Sequence, residues 1–170
     1  MRSETGGALS LVVPSPVGGL GLVEADGALV AIHFDAVPVP EERAPAPSPL
    51  LEEVRTQLEQ YFRGERRVFD LPVRPRGTAF RQRVWEVLAT VPWGTTTTYG
   101  AIADRLGLPP GASRAVGAAN GANPVPIVLP CHRVVGADGT LTGYAGGLER
   151  KAALLRLEGV PTEADQAVLF

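Results

Sequence analysis

Apolar positions in the first part of the chain cluster in three short runs, residues 8–13, 19–23 and 28–34, all rich in β-branched or aliphatic side chains. Pro14-Ser15-Pro16 separates the first two, and Ala25-Asp26-Gly27, a strong hairpin signal, separates the last two. The pattern predicts an antiparallel meander. A Pro/Glu-rich connection over residues 37–49 follows, and Ser48 is placed to cap a helix carrying Leu51, Val54, Leu58 and Phe62 at helical spacing, stopped by Gly64. Residues 67–71 read as one more strand. Residues 71–77, with Pro72, Pro75 and Gly77, have the composition of a linker, which divides the chain into residues 1–75 and 76–170.

Beyond the linker the apolar period becomes helical. Thr78 caps a helix that aligns Phe80, Val84, Leu88 and Val91 and ends at Pro92, with Trp85 assigned to the core. A short helix over residues 99–107, a Pro/Gly turn over 108–111 and a second helix over 113–120 give a helix-turn-helix outline. The second of these is small-sided, with four alanines and Gly111, Gly117 and Gly121 in or near it. Small side chains let a helix approach another surface closely, either a packed neighbour or the floor of a groove. A last helix runs from Gly147 through Leu148, Ala152, Leu155 and Val160 and carries Glu158 and the only lysine, Lys151.

Composition narrows the chemistry. The 170 residues hold a single cysteine and two histidines, which excludes an internal disulfide and leaves no ligand set for a structural zinc. No metal or cofactor is expected. A free thiol fits a reducing compartment, and no stretch reaches the 18 or more apolar residues of a membrane span, so a cytoplasmic protein is expected. The net charge of −2 is uneven. Residues 1–70 carry six arginines against eleven acids, a balance of −5, whereas residues 71–170 carry nine arginines and Lys151 against seven acids, a balance of +3. A polyanionic partner therefore suits the second part.

The single cysteine lies in Pro130-Cys131-His132-Arg133, after the apolar run 124–129. A lone cysteine is often only a small buried hydrophobe. Here a histidine and an arginine flank it, and either would favour the thiolate. The prolines would hold the segment extended and deliver it, without helix, to one point. Both features indicate a nucleophile.

Pro130-Cys131-His132-Arg133-Val134-Val135, preceded by Asn123-Pro124 and followed by Gly143-Tyr144-Ala145-Gly146-Gly147, resembles the O6-alkylguanine-DNA alkyltransferases, which repair alkylated guanine at the expense of their own cysteine. The likeness spans most of residues 73–160. It includes Gly77-Thr78-Ala79-Phe80, Val91-Pro92-Trp93-Gly94, Thr98-Tyr99-Gly100 and Arg114-Ala115-Val116-Gly117. It implies an α/β (α+β) protein: an N-terminal ribonuclease H-like α/β domain, then a helical domain with a winged helix-turn-helix.

The resemblance also implies roles. Cys131 would attack the alkyl carbon, and His132, oriented by Glu158, would remove the thiol proton through a water. Tyr99 would donate to the guanine. Pro126 and Tyr144 would line the alkyl pocket, Asn123 would brace the active-site turn, and Val134 would contribute to substrate binding. Ala145, serine in some relatives, would contact O6 through its backbone N–H. Arg114 would enter the base stack as the damaged nucleotide rotates out. The partner implied is double-stranded DNA containing O6-alkylguanine, approached from the minor groove by a monomer. Relatives with tryptophan in place of the cysteine bind damage without reacting, so the presence of Cys131 implies transfer. A helix-turn-helix regulator would account for residues 98–121 and leave Cys131 unused, and a cysteine hydrolase would leave Arg114 unused.

Overall fold

The computed structural model describes residues 7–44 and 46–162, which divide into two units between Arg76 and Gly77. In the first, β1 (Leu9–Val13), β2 (Leu20–Ala25) and β3 (Ala28–His33) form an antiparallel sheet in the order β1-β2-β3. The expected meander is present. Asp26 and Gly27 both take positive φ, 51° and 75°, the backbone of a tight hairpin whose twist matches the strands. Helix α1 (Pro49–Phe62) packs on this sheet. Its Leu51, Val54, Leu58 and Tyr61 join Leu20, Leu22, Leu29 and Ile32 in the core, the last turn burying Tyr61 rather than Phe62. Ser48 caps α1 as predicted: its hydroxyl accepts from Leu51 N at 3.0 Å and donates to Glu24 of β2.

The strand expected over residues 67–71 does not form. Its backbone is claimed by a side chain instead. Gln57 Nε2 donates to Asp70 O at 3.0 Å and Asp70 N donates to Gln57 Oε1 at 2.9 Å, so one buried amide stands in for a neighbouring strand. The chain reaches the sheet only at Val73, which forms a parallel bridge with Leu29.

The second unit is mainly helical. Helix α2 (Ala79–Leu88) is capped by Thr78 and contacts α3 (Tyr99–Arg105) and α4 (Ser113–Gly121). Trp85 of α2 is 1% exposed and donates its indole N–H to Ala119 O of α4 at 2.8 Å, so the largest core side chain leaves no polar atom unsatisfied. Helix α2 ends at Leu88, ahead of Pro92, because Thr90 takes up the free carbonyl of Val87 through both its amide and its hydroxyl. Two short strands, β4 (Thr97–Thr98) and β5 (Val134–Val135), pair in parallel and bring the start of α3 beside the cysteine segment. The helix pair of the expected helix-turn-helix is present. No antiparallel wing hairpin forms among the described residues of this unit.

Helix α5 (Leu148–Leu157) stops three residues short of Val160. Gly159 adopts φ 78°, donates to Arg156 O, and Val160 donates to Leu155 O, which closes the helix end and leaves Glu158 as its final capping residue. Among the described residues no helix is long and apolar enough to cross a membrane.

The contact between Gly77 and Trp85 sets a test. A Cβ on Gly77 would overlap Trp85 Cη2 and lie 2.7 Å from Cζ3, whereas one on Gly121 would meet nothing within 4 Å. Gly77→Ala should therefore cost about 1–3 kcal/mol in urea unfolding. Gly121→Ala should be neutral or slightly stabilising. Equal midpoints for Gly77→Ala and the parent protein would show that the Trp85 ring yields freely.

Candidate active site

The cysteine is held by a tight, hydrogen-bonded turn. Leu129 N donates to Val125 O at 3.0 Å, and Ile127 inside this loop has φ 74°, a conformation costly for a β-branched residue. Asn123 braces both ends, with Val125 N donating to its Oδ1 at 2.9 Å and its Nδ2 donating to Leu129 O at 2.7 Å. Asn120 Nδ2 donates to Cys131 O at 3.3 Å. Cys131–Arg133 then form a single 3-10 turn in which Arg133 N reaches Pro130 O at 3.0 Å. The extended delivery expected from the prolines is corrected to this turn: Pro126 and Pro130 bound a fold-back rather than a straight segment.

Cys131 is buried at 4% exposure. Burial pushes its thiol up to about 11, against hydrogen bonding to Asn123 and Tyr144 and the positive charge of Lys151, which act the other way. The expectation that the flanking Arg133 favours the thiolate is corrected by where its guanidinium goes. Arg133 Nε and Nη2 donate to Glu158 Oε2 and Oε1, both at 2.8 Å, and Nη1 donates to Val91 O at 2.6 Å. Its charge is used on Glu158.

His132, wholly buried, is also tied to Glu158, Nε2 lying 2.7 Å from Oε1. Burial alone would raise the Glu158 carboxyl; the hydrogen bonds from His132 and Arg133 and the Arg133 charge outweigh it and hold the group at about 2. An ionised carboxylate only accepts, so His132 Nε2 carries the proton and Nδ1 presents a lone pair. That Nδ1 is buried and has no hydrogen-bond partner among the described residues. Burial, followed by the nearby Arg133 and Lys151 charges, keeps the imidazole below its usual range despite Glu158, so His132 is neutral at pH 7.

Sequence reasoning gave Lys151 no role. It is completely buried, and its ammonium donates to Val134 O at 2.6 Å and Thr142 O at 2.9 Å. Burial lowers it to about 8, and Cys131 acts in the opposite sense. The signal was in the helical period: Lys151, Leu154, Leu155 and Glu158 share one buried stripe of α5, a place where a lysine needs a reason.

The other predicted residues divide between two surroundings. Tyr144 is half-buried and interacts with Cys131, burial holding its phenol above the ordinary range. Tyr99, the first residue of α3, meets Thr142 Oγ1 at 2.8 Å and so touches the segment that holds Lys151. Pro126 is buried in the bracing loop, and Ala145 is exposed beside Tyr144. Val134 is fully buried in β5, so any role in binding is confined to its main chain, whose carbonyl takes the Lys151 ammonium. Arg114 stands apart, exposed on α4 with Ala115, Ala118 and Gly121 around it.

Residues 79–160 match the 6-O-methylguanine DNA methyltransferase DNA binding domain, and residues 10–75 match the ribonuclease-like domain of the same proteins. The chain is 47% identical over 152 residues to a methylated-DNA–protein-cysteine methyltransferase of Mycolicibacterium paratuberculosis, covering 86% of this chain and 89% of that one. The chain belongs to the O6-alkylguanine-DNA alkyltransferase family. A Mycobacterium bovis alkyltransferase is 58% identical over 109 residues, a stretch spanning 64% of this chain and 66% of the relative. The crystal structure of Mycobacterium tuberculosis O6-methylguanine methyltransferase superimposes with a TM-score of 0.80 at 43% identity, covering 96% and 100% of the two chains. A second structure of that alkyltransferase, in complex with DNA, gives 0.77 at 45% identity over 94% and 98%. The mixed architecture, a small sheet unit followed by a helical one, is that of the alkyltransferases.

The Glu158 cluster makes stability depend on pH in this member of the alkyltransferase family. The folded carboxyl titrates near 2 and an unfolded one near 4.5, so its contribution is complete above 4.5 and is lost as pH falls toward 2. The difference amounts to about 3 kcal/mol. His132, depressed in the folded state, adds a loss that begins below 6.5. In urea unfolding from pH 7 to pH 2, Glu158→Gln should start lower and decline less steeply between 4.5 and 2. Parallel curves for variant and parent would mean the carboxylate is not held as described.

Proposed function

We propose that this chain repairs duplex DNA by moving a methyl or larger alkyl group from guanine O6, and from thymine O4, irreversibly onto Cys131, once per molecule. The observation that carries the reading is the buried His132 Nδ1 lone pair next to Cys131 in the chain, its tautomer set by an ionised Glu158. A thiol near 11 is almost wholly protonated at pH 7, so a base must be built into the site.

The thiol proton passes through a bridging water to Nδ1. As the sulfur–carbon bond forms, the carbon–O6 bond breaks and its electron pair leaves on the guanine. Tyr99, held at the start of α3, donates a proton or a hydrogen bond to the departing base, and the Ala145 N–H stabilises O6. The Lys151 charge, fixed between two carbonyls, favours the thiolate as it appears. Pro126, Tyr144 and the Val134 main chain line the space for the base and its alkyl group, and Asn123 keeps the turn from shifting. The thioether product has no leaving route at neutral pH, and no second cysteine exists to receive the group.

The guanine reaches this site only by leaving the stack. The exposed small-sided face of α4 suits close approach to a minor groove, and Arg114 fills the vacated stack with its guanidinium plane. The protein acts as a monomer without cofactor. A regulator that binds DNA without transfer would use α3 and α4 alone, and has no use for a buried Cys–His–Glu set.

Intact mass after incubation with O6-methylguanine duplex should show one added methyl on Cys131, never two, and none in Cys131→Ser. Binding without any adduct would sink the transfer reading. Arg114→Ala should slow repair in duplex at least tenfold while leaving attack on free O6-benzylguanine within about twofold. Equal losses on both substrates would remove Arg114 from base flipping. Affinity for duplex should fall as salt rises.

A further inference from the structure

The relay needs only the Glu158 carboxylate to orient its base, yet that carboxylate holds a second partner beside His132. Its Oε1 accepts from both His132 Nε2 at 2.7 Å and Arg133 Nη2 at 2.8 Å, and its Oε2 accepts from Arg133 Nε at 2.8 Å. Arg133 is itself 5% exposed, and its remaining arm is fixed on Val91 O. Its neighbour in sequence is the histidine. A fully desolvated guanidinium so close to the catalytic base is costly unless the arrangement has a use.

Two states of the His132–Glu158 pair are chemically distinct. With carboxylate and neutral imidazole, Nδ1 can accept the thiol proton. With carboxylate and imidazolium, Nδ1 already carries a proton and the relay is blocked. A lone buried carboxylate would draw a proton onto the imidazole and favour the second state. A bidentate arginine neutralises the carboxylate and repels a second positive charge beside it, which favours the first.

We propose that Arg133 is a positioning residue of the proton relay, whose fork fixes both oxygens of Glu158 and whose charge keeps His132 unprotonated until the thiol gives up its proton. This rests on the relay described under Proposed function. The charged groups acting on His132 are Glu158 at the cap of α5, Lys151 within that helix and Arg133 from its own turn; Cys131 precedes it in the chain. Lys151 acts in the same sense as Arg133. Arg133 alone also grips the carboxylate that orients the ring. The proton count is unchanged: the proton leaving Cys131 arrives on Nδ1, and Arg133 gains and loses none.

The test is the pH profile of Cys131 alkylation by free O6-benzylguanine, which removes DNA binding from the measurement, for parent, Arg133→Gln, Arg133→Lys and His132→Asn. In the parent, the rate should be flat through neutral pH and fall on an acidic limb below 6.5, where His132 protonates. Arg133→Gln should move that limb up by about one pH unit. Arg133→Lys keeps a charge but not the fork, so it should lower the rate about tenfold with the limb within a few tenths of the parent position. His132→Asn should abolish the limb. Unmoved limbs in both arginine variants, with the limb lost in His132→Asn, would overturn the proposal and leave the relay standing. A limb that persists in His132→Asn would overturn the relay itself and this inference with it. If Arg133→Gln does not fold, Arg133→Lys decides alone: parent rate and parent limb together would show the fork has no part in the relay.

Discussion

A carboxylate taken out of water must be surrounded by donors, and Glu158 is. Three nitrogens, one from His132 and two from Arg133, converge on its two oxygens at 2.7–2.8 Å. Removing either partner leaves a buried charge undercompensated, which typically costs several kcal/mol. This pairing joins the end of α5 to the turn Cys131–Arg133, and Arg133 Nη1 carries the link on to Val91 in the loop after α2. The turn that carries Cys131 is thus tied to the end of α5 by one anion and to the loop after α2 by one guanidinium arm.

A buried thiol near 11 also suits the once-only transfer proposed for Cys131. Sensitivity to stray electrophiles follows thiolate content, and a resting thiol has little. Ionisation is coupled instead to groups that are already in place: a neutral imidazole, an ammonium with no freedom to move, and the Tyr144 hydroxyl. Preorganised groups of this kind need no rearrangement when charge develops on sulfur.

Much of this could be read from the chain before its coordinates. The meander was visible because its apolar runs are short and the Asp26-Gly27 hairpin is strongly coded, and the caps at Ser48 and Thr78 were visible because capping is local chemistry. Residues 67–71 misled because their local preference is for strand, while a distant side chain, Gln57, captured the backbone first. In the site, Cys131 and His132 stood out by flanking chemistry, whereas Glu158 came from family resemblance, since spacing alone cannot tell a buried helix-end acid from a solvated one. The left-handed Ile127 and the direction of the Arg133 guanidinium depend on tertiary contacts and had no local signature.

Helix α5 also acts as a spacer of fixed length. It starts at Leu148 and delivers Glu158 immediately beyond its last turn, so a rod of about 15 Å fixes where the carboxylate stands. One inserted or deleted residue would swing the carboxylate roughly 100° around the axis, away from both of its partners. The exposed stretch 137–139, by contrast, lies outside the rod and sets no such angle. Among descendants of this sequence, changes of length should therefore accumulate in that loop and be purged from the ten residues that follow Gly147.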